Sequence, residues 1–285
     1  ALRPDLHRYC ARLMGSVIEG EDVVQDTMLR ALEALPELDD ATPLRPWLFR
    51  IAHNRALDLL RGRAVRHPEP LEAAARVADS SNPDPLEALM RQDSVKTAVS
   101  RFAQLPIHQR SAVILKDVLD EPLADIAALL GLTIDAVKGH LARGRARLNE
   151  LNAQPAVRHP AVAASEAMLQ YIALFNHRDW NGLRSLLADD VKLSQSSHPV
   201  RAGAVDVGFF FTKYAEFEGL CLAPAWLEGR EVIAAFNDRA DERPAYFMWL
   251  EWRDGQIAFI HDYCHVRYVA LDAEIQLMDS MRPGL

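Results

Sequence analysis

The chain has 285 residues, 49% of them hydrophobic and 25% charged, with a formal net charge of −8. That leaves room for two or three domains with ordinary cores and excludes a uniformly basic nucleic-acid binder. Three scattered cysteines, Cys10, Cys221 and Cys264, form no CxxC, which predicts a reducing, cytoplasmic setting and no zinc site.

No run of about eighteen apolar residues predicts a membrane span, and no signal peptide is read. HExxH, P-loop and GxGxxG patterns do not occur, so no metal or cofactor is expected. The chain opens at Ala1, without Met and almost directly inside a helix, so preceding residues are expected. Charge is uneven along it. Residues 1–150 carry 20 basic and 22 acidic side chains, and the remainder 12 and 18. Positive charge concentrates at residues 45–66, with six arginines against one acid, Asp58. A locally basic, globally acidic chain should bind DNA weakly alone and need help.

In chain order, residues 2–14 predict an amphipathic helix with Leu6, Tyr9, Cys10 and Leu13 inward. Residues 20–35 predict a second, with Val24, Met28, Ala31 and Leu35 on one side and Asp22, Gln25, Asp26, Arg30 and Glu33 on the other. Its acids gather in the first turns, where the helix dipole favours them. Taken alone, that is a solvated face. Pro36 ends the helix and a loop follows. Pro46 then opens WLFRIAHNRALDLLRGR, with Leu48, Ile51, Ala52 and Leu59 inward and Arg50, Asn54 and Arg61 on a common opposite face. Arg55 projects nearer the apolar side, as a structural residue would. Trp47 and Phe49 flank the polar face. Cations beside aromatics suit single-stranded or melted DNA, with charge for phosphates and rings for bases; the two rings can equally be core.

Residues 64–92, with Pro68, Pro70, Pro83 and Pro85, have linker composition. Helices resume near Pro85, carrying Leu86, Leu89, Val95, Val99 and Phe102 on one face, and ILKDVL predicts another helix. In LDEPLADIAALLGLTIDAVKGHLARGRARL, Leu123, Ile126, Ala127 and Leu130 form one helical stripe. Gly131 stops that helix and Thr133 caps the next. Val137, Leu141, Gly144 and Leu148 then face inward, while Lys138, His140, Arg143, Arg145 and Arg147 point elsewhere. A cationic helix behind a Gly-containing turn is a helix-turn-helix, whose second helix enters the major groove; an ordinary helical hairpin is the bland alternative.

Three motifs in this order, EDVVQDTMLRAL, PLRPWLFRIAHNRALDLLRGR and LPIHQRSAVILKDVLDEPLADIAALLGLTIDAVKGHLARGRARL, resemble the two conserved domains of bacterial extracytoplasmic-function sigma factors of the sigma-70 family. The resemblance covers about residues 2–151. It implies a first domain that binds the clamp coiled coil of RNA polymerase through Asp22, Gln25, Asp26 and Arg30. It implies that residues 37–45 and the following helix open and read the minus-10 element, with Arg50, Asn54, Arg61 and Trp47 best placed. It implies that the helix-turn-helix reads the minus-35 element through Thr133, Lys138, His140, Arg143 and Arg147, and that its domain docks on the polymerase flap. Polymerase would supply the affinity that the overall charge withholds.

A minimal member would end near residue 151. Instead LNAQPAVRHPAVAA reads as a second linker. SEAMLQYIALFNHRDWNGLRSLLADDVKL then reads as two helices and a strand start, AVDVGFFFTKYAEF as a helix, and the remainder to VRYVAL as strand-like runs with an Asp-Gly hairpin at RDGQ. Helices followed by a curved antiparallel sheet predict an α+β domain. FNHRDWNGLRSLLADDV and DGQIAFIHDYCHVRYV resemble the SnoaL-like cone fold, which implies a built-in regulator. A DGGGR stretch known from one branch of such fusions is absent. Along the last strand, Phe259, His261, Tyr263 and His265 should share one face, and Ile260, Asp262, Cys264 and Val266 the other. Trp226, Tyr246, Trp249, His261 and Tyr263 are candidate pocket residues, with aromatic core as the alternative. His159, His177 and His198 read as isolated, and Asp189-Asp190 as a helix-end loop pair.

The expected architecture is multidomain: sigma region 2 at 1–63, a linker at 64–84, sigma region 4 at 85–151, a linker at 152–160 and an α+β SnoaL-like domain at 161–285. The expected function is promoter-specific initiation without enzymatic activity. Its partners would be core polymerase and promoter DNA, with an intramolecular contact between the cone domain and the sigma domains. A cone domain that turns over a small molecule, and a stand-alone helix-turn-helix repressor, are the other readings.

Overall fold

The computed structural model of the chain describes residues 2–39, 41–66, 99–153, 163–196 and 198–278. Two compact units form, residues 1–156 and 157–285, each with its own core. Most of both expected linkers, the helix start near Pro85, and His159 lie outside the described residues.

In the first unit, α1 (Arg3–Met14) ends at Gly15, whose φ of 77° is left-handed. Helix α2 (Val17–Ala34) starts three residues before the expected position, because the Ser16 hydroxyl accepts the Glu19 N–H at 3.1 Å and so supplies an N-cap. The two helices cross closely at Gly20: a Cβ there would lie 2.5 Å from the Ala11 N and Cα. Helix α3 (Leu44–Arg66) buries Leu48, Phe49, Ala52 and Ala56. Arg55 pairs with Asp26 of α2 at 2.6 Å, a structural role that its position near the apolar side predicts.

Helix α4 (Val99–Phe102) and helix α5 (Ile107–Val113) follow. ILKDVL, expected as ordinary helix, is a π-helical turn at Ile114–Val118. Helix α6 (Leu123–Leu130) closes on Gly131 with φ 67°, and α7 (Ile134–Ala153) begins where Thr133 Oγ1 accepts the Ala136 N–H at 3.2 Å. Val137, Leu141, Gly144 and Leu148 are buried.

The two helical halves share one core, from Leu6, Tyr9 and Phe49 to Phe102, Leu115 and Ile126. Polar links reinforce it. Arg110, 8% exposed, donates to the carbonyls of Leu13 (2.7 Å), Leu105 (2.9 Å) and Ala103. Arg45 of α3 pairs with Asp5 of α1 at 2.8 Å and with Glu121, just before α6, at 2.7 Å, while its guanidinium stacks 5.0 Å from the Phe49 ring centroid.

The second unit is α+β. Helix α8 (Glu166–Asn176), helix α9 (Trp180–Ser185) and helix α10 (Ala204–Tyr214) accompany a seven-stranded sheet ordered β2-β1-β6-β5-β4-β3-β7. The strands are β1 (Leu187–Gln195), β2 (Arg201–Ala202), β3 (Cys221–Leu227), β4 (Arg230–Phe236), β5 (Tyr246–Arg253), β6 (Gln256–Asp262) and β7 (Gln276–Leu277). The sheet departs from the expected antiparallel one at a single join: β1 and β6 are parallel. Asp189 and Asp190 are part of β1 rather than a loop, and Asp190 pairs with Arg253.

Two-residue turns join β3 to β4 and β5 to β6. Glu228–Gly229 has φ of 50° and 80°, and Asp254–Gly255 has 52° and 77°; positive φ at both positions matches the right-handed strand twist. Strand β6 stops at Asp262, and the run expected to continue turns instead into α11 (Tyr268–Asp272). Tyr263 and His265 therefore do not follow strand alternation. Tyr171, Phe175 and Phe211 of the helices pack against Leu222, Ile233, Met248 and Ile260 of the sheet.

Candidate nucleic-acid interface and a C-terminal cavity

The surface of α3 follows from its helical spacing. Arg50, Asn54 and Arg61 are all exposed, on the face opposite Leu48, Ala52 and Ala56. Arg61 is held loosely by Asp58 at 3.3 Å. Trp47 is half-buried against the core, and Phe49 is core outright at 3% exposed. Of the two aromatics flanking the polar face, only Trp47 retains surface.

On α7, Lys138, Arg143 and Arg147 are exposed. Lys138 and Arg147 make only local pairs, with Asp135 (3.2 Å) and Glu150 (2.8 Å); exposed pairs one turn apart contribute little and exchange readily for phosphate. Arg145 is held by Asp117 through two hydrogen bonds of 2.9 and 2.5 Å and braces the helix on the π-turn. His140 is half-buried, 5.5 Å from the His108 ring. Burial first, then Arg143 and His108, lower its pKa, so it presents a neutral ring at pH 7. Thr133 is exposed but its oxygen serves as the cap. The result is an exposed cationic surface on α7 rather than one stripe: at about 100° per residue, Lys138 and Arg147 flank the buried side from opposite edges, and Arg143 projects away from it.

On α2, Asp22 and Arg30 are exposed, while Gln25 and Asp26 are half-buried and Asp26 is engaged by Arg55. Beside them Leu29 and Leu32 stand 61% and 66% exposed. The apolar pattern hinted at this: Met28, Leu29 and Leu32 are too many apolar residues for one inward stripe.

In the second unit a cavity of about 910 Å³ opens at one end of the sheet. Its floor is a hydrogen-bonded chain. Tyr246 Oη donates to Tyr214 Oη (2.9 Å), which donates to Asp262 Oδ2 (3.2 Å), and Gln195 Nε2 donates to the same oxygen (2.9 Å). Asp262 is 1% exposed. Burial pushes its carboxyl above the ordinary aspartate value, against hydrogen bonds from Cys264, Gln195 and Tyr214. Burial and the nearby Asp262 also raise both tyrosines.

Of the five residues expected to line a pocket, Tyr246 does. Strand alternation places Trp249 and His261 on the other face, while Trp226 and Tyr263 lie elsewhere for other reasons. Trp249 and His261 pair across β5 and β6 on the face away from the helices, their rings stacked at 3.7 Å, with Arg230 above Trp249 and Glu251 3.0 Å from His261 Nε2. Tyr263 stacks on Phe247 at 4.6 Å. Trp226 sits at the far end of β3, opposite Glu231, whose carboxylate takes the N–H and hydroxyl of Ser165. His198 is not isolated: its ring lies 4.2 Å from His265 at the cavity mouth. Asp262 was readable as an acid sharing the Ile260 side of its strand, whereas Tyr214 and Gln195 reach it from other elements.

Two family descriptions match the chain: Sigma-70 region 2 over residues 1–66 and Sigma-70, region 4 over residues 97–148. The ECF RNA polymerase sigma factor SigM of Mycobacterium tuberculosis is 35% identical over 150 residues, which are 51% of this chain and 70% of SigM. The chain belongs to the extracytoplasmic-function group of the sigma-70 family. The sigma-70 matches fall within the first unit and leave the second outside them. The ECF sigma factor SigG of the same organism is 32% identical over 209 residues, 65% of this chain, and the chain spans only 56% of SigG's length. The crystal structure of the sigma factor SigJ, also from M. tuberculosis, is 21% identical over 92% of this chain and 94% of that chain, with a TM-score of 0.37. Among the described residues of this sigma-70 member, no helix is long and apolar enough to cross a membrane.

Proposed function

We propose that the protein is a non-enzymatic RNA polymerase sigma factor that directs promoter-specific initiation, and that its C-terminal SnoaL-like unit modulates this activity in cis. The observation that carries the reading is the exposed polar face Arg50–Asn54–Arg61 on α3, together with the exposed cations Lys138, Arg143 and Arg147 on α7, within a chain that matches both sigma-70 regions. On this reading α7 enters the major groove at the minus-35 element, where exposed arginines can read guanine edges and lysines hold phosphates. Helix α3 takes the minus-10 strand, with Trp47 as the one available ring. Asp22, Gln25, Asp26 and Arg30 of α2 meet the polymerase clamp, and the α4–α7 region meets the flap. Such a protein works beside the polymerase, in the cytoplasm.

The geometry adds a requirement. Promoter elements about 25 base pairs apart lie roughly 85 Å apart at ~3.4 Å per base pair. A compact unit of this length has a radius of gyration of only ~15 Å. Reading both elements at once therefore requires the α1–α3 and α4–α7 halves to part, which breaks Arg45–Glu121 and Arg110–Leu13.

Run-off transcription with single substitutions tests the assignment. Arg143→Ala should cost about 1–3 kcal/mol of upstream discrimination with opening intact. Asn54→Ala should impair opening or minus-10 reading while upstream recognition stays. Wild-type promoter preference and output in both variants would remove these residue roles.

A second reading, that a small molecule sets the C-terminal control, is favoured by the 910 Å³ cavity and its buried Tyr–Tyr–Asp chain.

A further inference from the structure

The cavity of the second unit has two chemically different ends and apolar walls. The walls are Phe210, Phe217 and Leu220. The inner end is Tyr246, whose hydroxyl proton is committed to Tyr214 and whose lone pairs are therefore left to accept. Behind it, Asp262 is buried, and none of its hydrogen-bond partners is a cation. The outer end is cationic. Arg201 and Arg267 both line it beside His198 and His265, whose tilted rings lie 4.2 Å apart. The Arg267 guanidinium lies 5.8 Å from the Tyr246 ring centroid, and its Nε reaches only a backbone carbonyl, that of Cys264 at 3.4 Å. No described carboxylate forms an ion pair with Arg201 or Arg267. Acids at the same mouth are Glu216, which Lys213 neutralises at 3.3 Å, and Glu218. The volume is that of a drug-sized ligand site. Planar guanidinium groups at the edge of a low-dielectric cleft match a carboxylate by paired hydrogen bonds, and the apolar walls gain by covering rings or chains.

We infer that this cavity binds an amphipathic organic anion, with its carboxylate at Arg201 and Arg267, its apolar body between Phe210, Phe217 and Leu220, and a hydroxyl that donates to Tyr246. This gives a ligand class to the C-terminal unit read above as a regulator; binding itself does not depend on that reading. A hydroxyl donor completes the Tyr246–Tyr214–Asp262 chain in one direction, each oxygen accepting from one side and donating to the next. A ligand without the hydroxyl that covers Tyr246 leaves its oxygen without that donor, which costs affinity.

The test uses the full chain and four probes in fluorescence and calorimetric titrations: 6-hydroxy-2-naphthoate, its methyl ester, 2-naphthoate and 2-naphthol. The expected result is saturable one-to-one binding of 6-hydroxy-2-naphthoate. The ester and 2-naphthol should bind at least tenfold more weakly, and 2-naphthoate severalfold more weakly. Arg201→Gln with Arg267→Gln should bring the acid down to the affinity of the ester and leave the ester unchanged. Both arginines are exposed, so this double variant keeps the fold. Tyr246→Phe should erase the difference between 6-hydroxy-2-naphthoate and 2-naphthoate; if that variant does not fold, the comparison of the two probes on the native chain carries the same information. Equal affinity for acid and ester, acid binding indifferent to the double substitution, or no saturable binding would overturn the inference. Transcription by the full chain with core polymerase, with and without 6-hydroxy-2-naphthoate, separates the two claims. Binding without any change in output leaves the ligand class standing and removes ligand control from the regulatory reading.

Discussion

Arg110 is a buried cation whose hydrogen bonds go to backbone carbonyls: Leu13, Ala103 and Leu105. Burial brings its pKa down to about 10, still high enough to keep the charge at neutral pH. Removing it strands three carbonyls in the core. Arg110→Ala should cost about 2–4 kcal/mol, seen as a lower urea midpoint of the full chain; an unchanged midpoint would show that water replaces the side chain.

His53 works in the opposite sense. It is 7% exposed and its Nδ1 lies 2.7 Å from Tyr9 Oη. Burial, with His108 and Arg61 nearby, lowers its pKa from 6.5 to about 4. Above pH 6.5 the ring is neutral in both folded and unfolded chains. As pH falls, the unfolded chain takes up a proton first, so stability declines from about pH 6.5 down to about pH 4, by about 3 kcal/mol in all. His53→Gln should flatten that part of the stability–pH profile. An identical slope in wild type and variant would mean that another group carries it. Neither residue was legible in the sequence. His53 lies on a helix whose facing was readable, but its partner Tyr9 is 44 positions away, and Arg110 lies on a short helix whose facing was not read and takes one of its carbonyls, that of Leu13, from 97 positions away.

At the scale of elements, legibility followed locality. The stop at Gly131, the cap at Thr133 and the inward stripe of α7 depend on neighbours within a turn or two, and all were readable. The π-turn at Ile114–Val118 was not. Nor was the early start of α2, where Ser16 competes with the acid-rich stretch that follows. In the sheet, the Asp-Gly turn of β5–β6 was readable. The parallel β1–β6 join was not, since pairing between strands over sixty residues apart leaves no local mark. The pocket aromatics were misplaced for a related reason. Alternation assigns a residue to a face but does not say which face carries the helices, nor at which end of it the cavity opens. Close helix crossings test this level. At Gly144 a Cβ would fall 2.6 Å from Val113 Cγ2 and 3.2 Å from the Gln109 carbonyl. Gly144→Ala should therefore push α7 off α5 and cost about 1–3 kcal/mol despite its better helix propensity. A stabilised variant would show that Val113 yields.

At the scale of the molecule, the first unit is held together by a shared core and by Arg45 between Asp5 and Glu121, whereas the promoter reading proposed above would require its halves to part. Glu121→Gln removes one partially exposed ion pair, about 0.5–1 kcal/mol, and should raise promoter output severalfold when the sigma factor is limiting, with no change in promoter preference. Unchanged output at every concentration would mean that opening is not a limiting step. The charge balance of the whole chain, −8 with six arginines gathered at residues 45–66, fits a factor whose affinity for DNA comes from its partner.

The most direct test of the account is run-off transcription on a promoter library with purified bacterial core polymerase, comparing the full chain with residues 1–156. Promoter-specific transcripts are expected from the shorter chain, and a different output from the full chain on the same promoters, the sign of the difference giving the sense of the C-terminal control. Equal output from both would contradict modulation in cis. No binding to core polymerase by either would contradict the sigma factor assignment itself.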